Sequence, residues 1–210
     1  MLQRILESPV FRTPRPWWLP LLSLAINLHG IIFLGWSFQP LVFIFWMEVI
    51  FLLAFALLRM VFALDGKPWT EGLGKKLFLL GAGAAMSIGM VMLTVTFTIK
   101  AFDQGFSSEG FEKVPFQTRL LLLGYIAGLI IHYFGNQRYK TANPMSELMA
   151  GFIHVLVLLC LIMPITMHLL PKYPQLNQAL WVGVAVVVVK FMVDRLFVKS
   201  GNKIAGALKG

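Results

Sequence analysis

Glu48 stands in an unbroken apolar stretch, Phe45-Trp46-Met47-Glu48-Val49-Ile50-Phe51, and His29 stands in the apolar run that precedes it. A carboxylate in such surroundings is disfavoured in its charged form unless a donor reaches it. His29 lies nine residues before Phe38 and Glu48 eight residues after Pro40, with the turn between. On two antiparallel helices both would sit roughly 13 Å from that turn, at about 1.5 Å per residue. His29 is the expected donor, Asn27 a second, and Trp46 flanks the pair with an indole N–H. The chemistry such a pair offers is a proton or cation site. The competing reading is a hydrogen-bonded clamp between two helices, which is favoured because a lone pair makes no pathway.

A second set involves Glu147 and His154, seven residues apart and so on one helical face, with His132 on the preceding run. Two imidazoles on facing helices are the minimum for a bis-histidine haem b or part of a metal site. Structural hydrogen bonding explains them equally simply and is preferred. The third set is Lys190 with Asp194, spaced i,i+4 and able to pair along one helix. Lys190 is also close enough to its helix end to extend its ammonium towards the surface.

Other chemistries find no residues. The sequence has no Gly-x-x-x-x-Gly-Lys-[Ser/Thr], Gly-x-Ser-x-Gly, His-Glu-x-x-His or Cys-x-x-Cys-His. Cys160 is the single cysteine, which excludes an intrachain disulfide, and its apolar neighbours predict a small buried hydrophobe.

The elements that carry these residues follow from composition. Of 210 residues, 58% are hydrophobic and 13% charged. A soluble domain carries about 25% charged residues, so an ordinary soluble enzyme and a disordered chain are both excluded. A bilayer core about 30 Å thick needs roughly 20 apolar helical residues. Six runs qualify: 17–38, 40–64, 77–102, 116–134, 147–170 and 176–198. The expected architecture is an all-α polytopic membrane bundle in a single domain, 1–210. The first run is expected to be a retained span rather than a cleaved signal, because it exceeds a typical signal core and lacks an Ala-x-Ala site. Met1–Pro16 is expected to be an irregular lead-in, interrupted by Pro9, Pro14 and Pro16.

The net charge of +9 then reads as topology. Thirteen Lys and Arg, among them Arg4, Arg59, Lys76, Arg138 and Arg195, fall on one side of the spans and four on the other. Both termini are therefore expected to be cytoplasmic, in a bacterial inner membrane, and nucleic acid is not an expected partner. Trp17, Trp18, Trp69, Trp36 and Trp181 take interfacial positions. Small residues mark close helix approach. Gly124 and Gly128 form one stripe, continued by His132, and Gly81, Ala85 and Gly89 form another, so spans three and four are expected to make the packed centre. The Gly124/Gly128 motif also fits a homodimer face.

Asn27, Gly35-Trp36-Ser37, Phe45-Trp46-x-Glu48 and Leu58-Arg59-Met60 resemble the opening of an uncharacterised family of bacterial integral membrane proteins. His132, Arg138-Tyr139, Leu148-Met149 and His154 are similar to its later part. A His-Tyr-Gly feature in that family's third span has no counterpart in Phe78–Ala85, which removes a third-span metal ligand. The resemblance directs attention to Trp46, Glu48, His132 and His154 and implies no reaction. The leading expectation is a non-enzymatic accessory or scaffold protein, embedded in the lipid bilayer and packing against other membrane subunits or itself. The alternatives are a small proton- or ion-coupled transporter using Glu48/His29 and Glu147/His154, and a haem or metal carrier using His132 and His154.

Overall fold

The computed structural model describes residues 16–68, 72–102, 115–165, 172–173, 175 and 180–207. Most of the lead-in, Trp69, the 103–114 connection and the 166–171 and 176–179 segments lie outside these residues. The described residues form six α-helices and no strand. They are α1 (Trp18–Phe33), α2 (Phe38–Phe62), α3 (Leu73–Phe102), α4 (Pro115–Gly128), α5 (Pro144–Pro164) and α6 (Leu180–Ala207). Four segments are long and apolar enough to cross a membrane: Pro40–Phe62, Leu73–Thr96, Phe116–Gly135 and Pro144–Pro164.

The first helix is shorter than its apolar run. It has 16 residues, about 24 Å at 1.5 Å per residue. Gly35 ends it in the left-handed conformation, φ +62°, which glycine adopts without a Cβ clash. The chain then folds back, and the Trp36 N–H donates to the Gly30 carbonyl at 3.0 Å. The Trp36 indole lies directly against Gly30, where any side chain would collide with the ring. Trp36 is therefore a buried core residue and not part of an interfacial belt. Trp17 and Trp181 are exposed.

The packed centre is α2 with α5, not α3 with α4. Leu41, Val42, Ile44, Leu52 and Ala56 of α2 are buried, and so are Ala150, Val155 and Leu158 of α5. The two helices meet at Gly151, where an added Cβ would collide with Ala56. Close backbone approach through small residues tightens van der Waals packing where lipid supplies no hydrophobic drive. Gly124 and Gly128 do pack closely, but on Leu19, Leu22 and Pro16 at the start of the chain rather than on α3. Gly81, Ala85 and Gly89 are not at an internal interface. Gly81 and Gly89 have open space at the Cβ position and all three are exposed. The inward stripe of α3 is the adjacent one: Gly83 meets Leu57 and Leu148, and Ser87 and Thr94 are buried. Cys160 is exposed rather than buried.

Past Gly128 the α4 helix widens into a π-helical segment, Leu129–Gly135. A π turn bonds residue i to i+5. The residue under Gly128 thus becomes Tyr133, which is fully buried, while His132 turns partly outward. This ends the Gly124/Gly128/His132 stripe. At the same end of the bundle the α2–α3 and α4–α5 connections are bonded together. Leu64 and Gly66 donate to the carbonyls of Tyr139 and Lys140, each at 2.7 Å, and Asp65 donates to Ala142 at 3.0 Å. Asn143 then starts α5 by accepting from the N–H groups of Met145 and Ser146 at 3.0 and 3.2 Å, a side-chain N-cap.

Candidate functional site

Five helices contribute polar groups to one buried cluster. Ser23 and Asn27 are one turn apart on α1, and Lys190 and Asp194 one turn apart on α6. Glu48 comes from the middle of α2, Tyr125 from α4 and His154 from α5. The four ionisable groups are withdrawn from the surface: Glu48 and Lys190 are 2% exposed, Asp194 3% and His154 0%.

Lys190 is the hub. Its ammonium lies 2.9 Å from Glu48 Oε2 and 2.5 Å from Asp194 Oδ2, donates to Ser23 Oγ at 3.1 Å, and stands 5.6 Å from the centre of the Phe45 ring. The Tyr125 hydroxyl donates to Glu48 Oε1 at 2.8 Å. His154 Nε2 lies 2.7 Å from Asp194 Oδ1. Asn27 Nδ2 donates to the Ser23 carbonyl at 2.7 Å and reaches Ser23 Oγ at 3.4 Å. The arrangement runs as a chain, Tyr125–Glu48–Lys190–Asp194–His154, with Ser23 and Asn27 at its side. Burial of so many charges is tolerated only when each finds a partner of opposite charge or a donor.

Charge counting characterises the cluster. Glu48 and Asp194 supply two negative charges and Lys190 one positive. With neutral His154 the cluster carries one net negative charge, and it reaches zero only when one more proton is held. His154 Nε2 can donate to Asp194 Oδ1 from the neutral ring or from the protonated one, so this contact can be made with or without that proton.

A second ionic site lies nearer the bonded connections. The Arg59 guanidinium is fully buried, with Nη1 2.8 Å from Glu147 Oε2. Its Cζ stands 4.8 Å from the centre of the Phe55 ring, a cation–π arrangement. The Arg59 carbonyl accepts from the Tyr133 hydroxyl at 2.6 Å. The two sites are joined by aromatic rings, since Tyr125 packs on Phe51 and Phe55 at 6.1 and 6.4 Å.

Several expected pairings are replaced. His29 is exposed and stacks on Phe33 at 5.3 Å, so it is not the donor to Glu48. It lies on the outer face of α1, whereas Ser23 and Asn27 lie on the inner one. Asn27 reaches the cluster through Ser23, and Trp46 is half-buried, with the hydrogen bonds found at Glu48 coming from Lys190, Tyr125 and Ser23. Glu147 and His154 do not act together, because Glu147 meets Arg59 and His154 meets Asp194. His154 therefore pairs with a carboxylate, and the π turn puts His132 on a partly exposed face. Among the described residues no group of three or more His, Cys, Asp or Glu is arranged to hold a metal ion. Lys190 does not extend to the surface, and Arg59 is a core residue rather than one of the surface cations that mark topology. Sequence reasoning passed over Ser23 and Tyr125. The only signal for Ser23 was its spacing of four from Asn27, and Tyr125 had none.

One family model matches the chain over nearly its whole length, from residue 7 to residue 206. The chain belongs to the family of unknown function DUF6498. No curated protein and no solved structure matches it. The Glu48–Lys190–Asp194–His154 cluster lies entirely within the matched residues.

Proposed function

We propose that this family member is an integral membrane protein that handles protons or small ions through the Glu48–Lys190–Asp194–His154 cluster. One observation carries the reading: four ionisable groups from three helices are buried together, and their charges balance only with an additional proton. A structural clamp needs no such imbalance, since apolar residues of similar volume hold helices as well as or better than buried ion pairs. Ionisable groups inside a membrane segment are functional candidates by default.

The membrane placement that goes with this reading has six spans in a bacterial inner membrane, both termini cytoplasmic. The Lys and Arg asymmetry supports it, with Arg59 set aside as a buried residue. Reconstituted liposomes with an internal pH dye test the function. An imposed pH gradient should drive proton movement in the wild type and much less in Glu48→Gln. Equal rates in both, or none above empty liposomes, would overturn the reading.

An accessory role has one observation of its own. The α3 face bearing Gly81, Ala85 and Gly89 is exposed, alongside exposed Leu77, Phe78, Met86 and Ile88. Small residues on a membrane helix suit close packing with another helix. Added bulk on this face tests it: Ala85→Leu should shift the oligomeric state or lose a co-purifying subunit in mild detergent, and an unchanged profile sinks the idea.

A further inference from the structure

The hydrogen bonds of the cluster differ in how they tolerate an added or a lost proton. Lys190 Nζ carries three protons and faces Glu48, Asp194 Oδ2 and Ser23 Oγ. Losing one would strand an acceptor and leave two buried carboxylates with no cation between them. Glu48 accepts from the Tyr125 hydroxyl and Lys190 at Oε1, 2.8 and 3.0 Å, and from Lys190 and Ser23 at Oε2, 2.9 and 3.5 Å. A proton added to Glu48 would displace one of these donors. Asp194 gives Oδ2 to Lys190 and Oδ1 to His154 Nε2, so the same holds there. His154 is different. With Asp194 ionised, Nε2–H donates to Oδ1 from the neutral ring as well as from the charged one, and the lone pair of the neutral ring lies on Nδ1. A proton joining Nδ1 breaks none of these contacts. It also needs no added volume, whereas the carboxylate oxygens around Lys190 are already filled by the ammonium.

We infer that the ion handled by the cluster is the proton alone and that His154 carries it, with Lys190 as a fixed charge and Asp194 as the group that orients the ring. The inference rests on the ion-handling reading above and narrows its ion. In the binding step the Nδ1 lone pair takes H⁺ from hydronium: an N–H bond forms, one O–H bond breaks, and its electron pair stays on water. Release is the reverse. The cluster passes from one net negative charge to zero and back. Helices α2, α3 and α6 pack against α5. On α6, Asp194 touches the ring, Lys190 reaches it through Asp194, and Arg195 is exposed. On α2, Glu48 stands one step further, held by Lys190 and by Tyr125 of α4, and Arg59 is taken by Glu147, the acidic group of α5. On α3, Gly83 meets Leu148. Lys76 is seven residues before Gly83 and His154 six after Leu148, and both helices start from the end with the bonded connections. Lys75 and Lys76 are therefore roughly 20 Å from the level of His154, at about 1.5 Å per residue. Asp194 is thus the charge in direct contact with the ring, and it favours the imidazolium once formed.

The test uses the purified full chain in detergent, with ¹⁵N-labelled imidazole rings followed by NMR between about pH 4 and pH 10, around the ordinary histidine value of about 6.5. The His154 ring should pass from the neutral Nε2–H form to the doubly protonated form as the pH falls, with the Nδ1 signal moving most. A ring that keeps one protonation state throughout, or a neutral ring protonated at Nδ1, overturns the inference. In liposomes, His154→Gln, whose amide can still donate to Asp194, should bring proton movement down to that of empty vesicles. Replacing Na⁺ and K⁺ by choline should leave the wild-type rate unchanged. A wild-type rate in His154→Gln, or a rate lost in choline, overturns the inference; if Glu48→Gln still slows the movement, the broader reading stands without it. Wild-type liposomes that move no protons overturn both. The ring titration is read on the wild type, so it decides the matter even where His154→Gln fails to fold, the signal then being assigned by removing His29, His132 and His168 in turn.

Discussion

Lys190 Nζ and Glu48 Oε2 lie 2.9 Å apart, joining α6 to α2 across a distance of 142 residues in sequence. The contact removes both groups from the surface and leaves each dependent on the other. Breaking a buried pair by removing one partner is strongly destabilising, by about 3–5 kcal/mol, whereas replacing both is far milder.

Lys190→Met should therefore lower stability by about 3–5 kcal/mol, since it strands Glu48 and Asp194. Adding Glu48→Gln to it should recover part of the loss. Unfolding in mixed detergent micelles, run as a double-mutant cycle, measures the coupling. Additive losses would show that the two groups do not interact energetically.

Arg59→Met should also destabilise, by about 3 kcal/mol or more, because it leaves Glu147 without its ion partner beneath α2. Arg59→Lys should restore only part of this, since an ammonium lacks the planar guanidinium that stacks over Phe55. Glu147→Gln should cost at least as much, because it takes the carboxylate from a guanidinium with 0% exposure, whereas Arg59→Met leaves behind a Glu147 side chain that keeps 12%. The same unfolding assay ranks the three.

Gly151→Ala should cost about 1–3 kcal/mol through overpacking against Ala56. Gly81→Ala and Gly89→Ala, which have open space, should be neutral or slightly stabilising, as alanine is the better helix former. A thermal-shift comparison of the three variants separates an internal crossing from an outward face.

His29→Ala and His132→Ala should each change stability by less than about 0.5 kcal/mol, as surface substitutions usually do. His154→Ala should cost more than either, because Asp194 loses a buried partner. Similar losses in all three would contradict the placement of these rings.

The helical class, the positions of α2 to α6, the presence of Glu48 and His154 in apolar runs and the i,i+4 spacing of Lys190 and Asp194 were legible in the sequence. Their assembly was not. Periodicity shows which residues share a face, but it cannot say which helix that face meets. The α2 run is apolar on every side, so nothing in it marks α6 as the neighbour of Glu48. His29 was the nearer donor along the chain and the wrong one in space. The α3 stripes of Gly81/Ala85/Gly89 and Gly83/Ser87 are each built of small residues, and only tertiary packing separates inside from outside. The π segment at Leu129–Gly135 moves His132 off the Gly124/Gly128 line, and a local register change of that kind has no clear mark in the sequence.

The contact between Gly151 and Ala56 lies between the two ionic sites. Glu147 and Arg59 are on one side of it, His154 and Glu48 on the other. With only the Ala56 methyl interposed, the crossing acts as a fulcrum: a tilt that opens the Arg59 end must swing the Glu48 end in the opposite sense. The bonded connections at 64–66 and 139–142 brace the Arg59 end, so the leverage falls on the arm that carries Glu48.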